Sequence, residues 1–147
     1  MILIHCWART RGSELNAKCP TAEWWNELIP LLNKPVKQIL WGNETKLNCQ
    51  HVENPKLEEI EKLLDECETF ICIDSFLQHL NHGRNKKKGI VVWSKSDPKI
   101  FGWPENINIL KYPEKLRSDQ FLWWANEKWE NIFPTSQEVV EAYKTLN

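Results

Sequence analysis

The sequence predicts an α/β domain: one mainly parallel sheet of about six strands, covered by helices on both faces. Three observations predict it. Short runs of β-branched and aromatic residues alternate with segments of helical period along most of the chain. The connections between these runs are short. The central run, Thr69-Phe70-Ile71-Cys72-Ile73, ends abruptly at Asp74-Ser75, and a helical pattern opens behind it with Phe76, Leu77 and Leu80 as apolar positions.

Taken in order, residues 2–7 read as a first buried strand, followed by a basic loop from Ala8 to Lys18. Pro20 suits a first helical position, with Trp24, Trp25, Leu28, Ile29 and Leu32 at helical spacing behind it. Val36 to Trp41 reads as a second strand that stops at Gly42-Asn43-Glu44, and Leu47 to Val52 as a weaker third. Asn54-Pro55 opens a helix with Leu57, Ile60, Leu63 and Leu64 on one face. After the central strand and helix, the charged run Arg84–Lys88 reads as a solvated connector into Ile90-Val91-Val92-Trp93. Ser94 to Gly102 reads as a loop and Ile107–Leu110 as a last strand. Two helices, around Ser118–Asn131 and Ser136–Lys144, are expected to close the chain. The expectation is a single domain over 1–147, with a sheet core in 2–110 and carboxy-terminal helices in 111–147.

Composition narrows the class. A chain of 147 residues, 41% hydrophobic and 27% charged, can bury a core and stay folded in water. No apolar run approaches the roughly 20 residues of a membrane span, and a net charge of −1 argues against steering toward nucleic acid. Met1 to Cys6 lacks the basic lead of a signal peptide and reads as a strand. Five cysteines without a Cys-x-x-Cys pair read as reduced thiols, which places the protein in the cytoplasm. Nine tryptophans are the unusual feature. Trp123, Trp124 and Trp129 cannot share one narrow helix face, so a homodimer with one of them at the contact is expected.

The site candidate is the strand–helix junction. Ligands of parallel sheets bind outside the carboxyl ends of the strands, and helix N-termini attract phosphate. Ser75 and His79 are four residues apart, hence on one helix face, with Asp74 beside them. The plain alternative is a capped helix with a satisfied histidine. Arg9, Arg11 and Lys18 form a cation cluster in the loop after the first strand. His79 and His82 have metal-ligand spacing, but no acid or thiol completes a set. No metal or other cofactor is expected.

Asp74-Ser75-Phe76-Leu77-Gln78-His79-Leu80 resembles the Asp-Thr-Gly-Leu-Ser-His motif of heptosyltransferase-type glycosyltransferases (family nine, GT-B architecture). Lys18-Cys19-Pro20 with Trp24, Trp41-Gly42-Asn43-Glu44, and Val91-Val92-Trp93 with Asp97-Pro98 and Phe101-Gly102 resemble the flanking stretches of that family's carboxy-terminal half. The resemblance spans residues 2 to 110. It implies a Rossmann-like donor domain in which Lys18 meets donor phosphates and Glu44 holds ribose or base. Asp74, Ser75 and His79 would contact sugar and diphosphate. Phe76 departs from the motif, replacing a glycine that lets backbone approach the diphosphate. The family's amino-terminal half, with its acceptor site and general base, has no counterpart here. The resemblance therefore implies an isolated module that binds a nucleotide diphosphate or nucleotide sugar. The alternative is an active transferase whose acceptor site comes from another subunit.

Overall fold

The computed structural model describes residues 1–8, 16–84, 87–121 and 127–146. Six strands form one parallel sheet: β1 (Ile2–His5), β2 (Val36–Leu40), β3 (Gln50–Glu53), β4 (Thr69–Ile73), β5 (Ile90–Trp93) and β6 (Ile107–Leu110). Their order is β3-β2-β1-β4-β5-β6, and every pairing is parallel. This is the doubly wound order that reverses between β1 and β4. Chain leaving β1 turns one way and chain leaving β4 the other, which opens a crevice above their carboxyl ends. The expected fold class is the observed one.

Alternation along the strands decides which helix lies on which face. Ile2, Ile4, Ile71, Ile73, Ile90 and Val92 bury against α1 (Ala22–Leu31) and α5 (Ser136–Lys144). Leu3, Phe70, Cys72, Val91 and Trp93 point the other way, onto α2 (Leu57–Glu66) and α3 (Phe76–Arg84). Both faces are apolar because both are covered. Gly89 lies at the entry to β5, where a Cβ would sit 2.2 Å from the Phe70 ring. Gly89→Ala is therefore expected to destabilise the protein by about 1–3 kcal/mol, the usual cost of overpacking, seen as a lower urea midpoint at unchanged slope.

Local chemistry sets the helix ends. The Thr21 hydroxyl accepts from Trp24 N at 3.3 Å and starts α1, so Pro20 stands before the cap rather than inside the first turn. Thr135 and Glu138 form a reciprocal capping box at α5. The Lys87 ammonium meets the Leu64 and Cys67 carbonyls at the end of α2, and Arg84 pairs with Glu61 and Asp65. Within the basic run read as a solvated connector, Arg84 and Lys87 thus clamp the α2 C-terminus. A short helix, α4 (Pro98–Phe101), occupies the stretch expected to be loop, capped by Asp97.

The helix expected around Ser118–Asn131 is not seen: 118–121 and 127–131 are not helical, and 122–126 lie outside the described residues. Side chains hold the described parts of this segment to the loop after β5. Gln120 donates to the Lys95 and Arg117 carbonyls and accepts from Asp97 N, while Lys95 reaches the Lys128 carbonyl.

All five cysteines are free thiols, four of them buried. Burial pushes the Cys19 and Cys49 thiols up to about 11, and raises Cys6 and Cys72 as well. They are therefore protonated at neutral pH and poor nucleophiles. Among the described residues, no helix is long and apolar enough to cross a membrane.

Candidate functional site

The site is built where the strand order reverses. The chain leaving β1 returns at Ala17-Lys18-Cys19, and each of these residues is held. The Ser94 hydroxyl, at the end of β5, donates to the Ala17 carbonyl. Asn16 Oδ1 accepts from Lys18 N at 3.0 Å. Cys19 Sγ accepts from Ala8 N, and its carbonyl accepts from Trp129 Nε1 at 3.0 Å. With its backbone fixed this way, Lys18 crosses the crevice to the end of β4. Its ammonium lies 2.8 Å from Asp74 Oδ2, with side-chain exposures of 21% and 8%.

Asp74 is held from a second side. Gln78, fully buried in the first turn of α3, donates Nε2 to Asp74 Oδ1 at 3.1 Å. Both carboxylate oxygens are thus engaged, as a carboxylate this buried requires. The opposite Gln78 atom, Oε1, is buried with no hydrogen-bond partner.

The remaining candidates divide. Ser75 Oγ is withdrawn from solvent and turned toward the Cys72 thiol, so the hydroxyl and the His79 ring do not share an outward face. Ser75 is the last residue before α3 begins at Phe76, and its side chain turns back toward the end of β4. His79 is exposed, and its Nδ1 accepts from Trp103 Nε1 at 2.9 Å. Phe76, 37% exposed, turns over the strand ends onto His5 and Trp41, with ring centroids 5.0 and 5.6 Å away and edge-on geometry. Glu44 closes its own turn: Oε2 accepts from Trp41 N at 2.9 Å, beside Gly42 at φ +55°. Arg9 and Arg11 lie outside the described residues.

Lys18 and Asp74 therefore meet, with Phe76 and His79 on the helix that follows, while Glu44 bonds the backbone of Trp41, whose ring packs on Phe76. Sequence reasoning missed Gln78, Ser94, Trp103, Trp129, His5 and Trp41. Only Gln78, at i+4 from Asp74, had a signal in the sequence. Among the described residues, no group of three or more His, Cys, Asp or Glu could hold a metal ion. An open hollow of about 650 Å³ lies at the opposite, amino end of the strands, lined by Asn26, Asn33, Lys34 and Asn48 among others.

No family model matches the chain, and no curated protein matches it by sequence. Solved structures do match in fold. The chain is similar to the E. coli heptosyltransferase WaaC with ADP, at 18% identity and a TM-score of 0.66, over 99% of this chain and 44% of that one. It is also similar to the same E. coli enzyme with ADP-2-deoxy-2-fluoro heptose, at 17% identity and a TM-score of 0.64, over 99% and 43%. The chain thus spans less than half the length of the structures it matches, and its architecture is that of one Rossmann-like half of the GT-B fold.

Proposed function

We propose that this chain binds a nucleoside diphosphate, free or carrying a sugar, in the crevice between the ends of β1 and β4. The observation that carries the reading is the Lys18–Asp74 pair at the point where the strand order reverses. Open parallel sheets bind ligands at that point. A lysine fixed there by Ser94, Asn16 and Trp129 is a pre-positioned cation for phosphate. The exposed His79 adds a donor one turn into α3, near its positive end. Phe76 and Trp41 offer apolar surface beside the charged pair for a base or sugar face. The two similar structures hold ADP and an ADP-sugar analogue, which supports ADP as the first ligand to try. The protonated, mostly buried thiols suit a reducing compartment such as the cytoplasm.

Mass spectrometry of small molecules released from the purified, heat-denatured protein tests the ligand class. A nucleoside diphosphate or nucleotide sugar supports the reading. No retained nucleotide, together with no calorimetric binding of ADP, GDP or UDP, removes it. A second reading, transfer of the sugar to an acceptor site supplied by another subunit, is favoured by the GT-B likeness. A glycosyl-transfer assay with candidate partners separates the two.

Self-association is the remaining part of the proposal. Ile100 and Phe121 are 48% and 66% exposed, and Phe101 packs edge-on against Phe121. Of the tryptophans expected at a dimer contact, Trp129 spends its indole N–H inside its own chain, and Trp123 and Trp124 lie outside the described residues. An apolar patch of this kind is a place for a second copy. Light scattering at micromolar concentration giving twice the 17.5 kDa chain mass supports a dimer, and a monomer mass with and without ADP removes it.

A further inference from the structure

An aromatic and histidine array lies along α3, apart from the Lys18–Asp74 pair. Its centre is Trp103, in the loop after α4. Gly102 lets that loop approach closely: a Cβ there would meet the Pro98 carbonyl oxygen at 2.6 Å and Asn108 Oδ1 at 2.9 Å. The Trp103 carbonyl accepts from Asn106 N at 3.1 Å and Asn108 Nδ2 at 3.0 Å, so the backbone carrying the indole is fixed. The His82 ring lies flat on the indole, 3.4 Å away and inclined by 7°. His82 Nδ1 in turn meets Glu105 Oε1 at 2.5 Å. The indole plane is therefore clamped, and its N–H points at His79 Nδ1 from 2.9 Å.

An indole nitrogen can only donate. His79 Nδ1 must then be the acceptor, unprotonated, and the proton of the neutral ring sits on Nε2. We propose that Trp103 is a positioning residue for His79, fixing the imidazole as the Nε2–H tautomer so that its second nitrogen is a donor for an anionic oxygen. Glu105 and His82 act one step further out, by holding the indole. This rests on the reading of the crevice as a phosphate site only for its purpose; the tautomer itself is a property of the unliganded chain.

Long-range proton–nitrogen NMR of the histidine side chains, above the imidazole titration, tests it without any ligand. Wild-type protein is expected to show His79 as Nε2–H alone, with the Trp103 indole proton coupled across the hydrogen bond to His79 Nδ1. In Trp103→Phe, which keeps a ring for His82 to stack on, a resolved Nδ1–H population emerges. An Nδ1–H ring in the wild type, or the same tautomer ratio in both proteins, overturns the proposal. If the variant does not fold, the wild-type coupling across the hydrogen bond decides: its presence supports the proposal and its absence overturns it. With ADP as probe, Trp103→Phe is expected to weaken binding about three- to tenfold, since the freed imidazole loses both its fixed tautomer and its fixed ring orientation and presents the donor only part of the time. His79→Ala should abolish that difference. If the wild type fails to bind ADP yet shows the Nε2–H ring coupled to the Trp103 indole proton, the anion-site reading falls and the role of Trp103 stands.

Discussion

Asp74→Ala is expected to destabilise the protein by about 2–4 kcal/mol, more than a change at any exposed position. Removing one partner of a buried ion pair typically costs about 3–5 kcal/mol, because the other charge is left uncompensated. Here the cost is reduced because Lys18 keeps 21% of its side chain exposed and can turn to water. Gln78 has no such escape: its Nε2 would join Oε1 as a buried group without a partner. An unsatisfied buried donor adds about 1–3 kcal/mol. For a chain of this size the loss corresponds to a melting point roughly 5–12 °C lower. Urea unfolding should show the same loss as a lower midpoint with unchanged slope. A loss below about 0.5 kcal/mol, typical of surface sites, would mean that the pair does not hold the two strand ends together.

His79→Ala is expected to leave the fold intact and to weaken ADP binding about ten- to a hundredfold, the equivalent of one hydrogen bond to a charged group at about 1.5–3 kcal/mol. The side chain is exposed and contacts the rest of the molecule through Trp103, so its removal opens no core cavity. Calorimetric titration of both proteins with ADP reads the difference. Equal affinities would remove His79 from the site while leaving Lys18 as the phosphate contact.

Much of the fold was legible because it rests on short-range patterns. The buried runs at Ile2, Thr69 and Ile90 are mostly apolar on both faces, as strands of a covered parallel sheet must be. The Asp74-Ser75 break marked the one junction where a site could open, and Lys18 and Asp74 were both named. Their pairing was not legible. They are 56 residues apart, and only the strand order brings the ends of β1 and β4 together.

The misreadings have the same origin. Helical spacing sets the face on which Ser75 and His79 lie but not the χ1 rotamer, and the Ser75 hydroxyl turns inward. The segment 118–131 carries enough apolar and helix-forming residues to imitate a helix. Its tryptophans fell on no single face, and in the structure Trp129 and Gln120 spend their polar groups on distant backbone. Lys87 looked solvated because the carbonyls it caps belong to a helix 20 residues earlier. Ser94 and Trp103 carried no local signal at all. Their importance lies in single hydrogen bonds, from Ser94 to Ala17 at the end of the sheet and from Trp103 to His79 on α3.

The central claim, that the crevice between the ends of β1 and β4 takes a nucleoside diphosphate, is tested most directly by titrating the nitrogen-15-labelled chain with ADP. Backbone and side-chain resonances of Ala17, Lys18, Asp74 and His79 are expected to move together and saturate with one dissociation constant. Those of Asn26 and Asn48, in the hollow at the other end of the strands, are expected to stay still. Lys18→Gln should weaken binding of ADP more than that of adenosine. Resonances that do not saturate, or that move only around the Asn26–Asn48 hollow, would contradict the account.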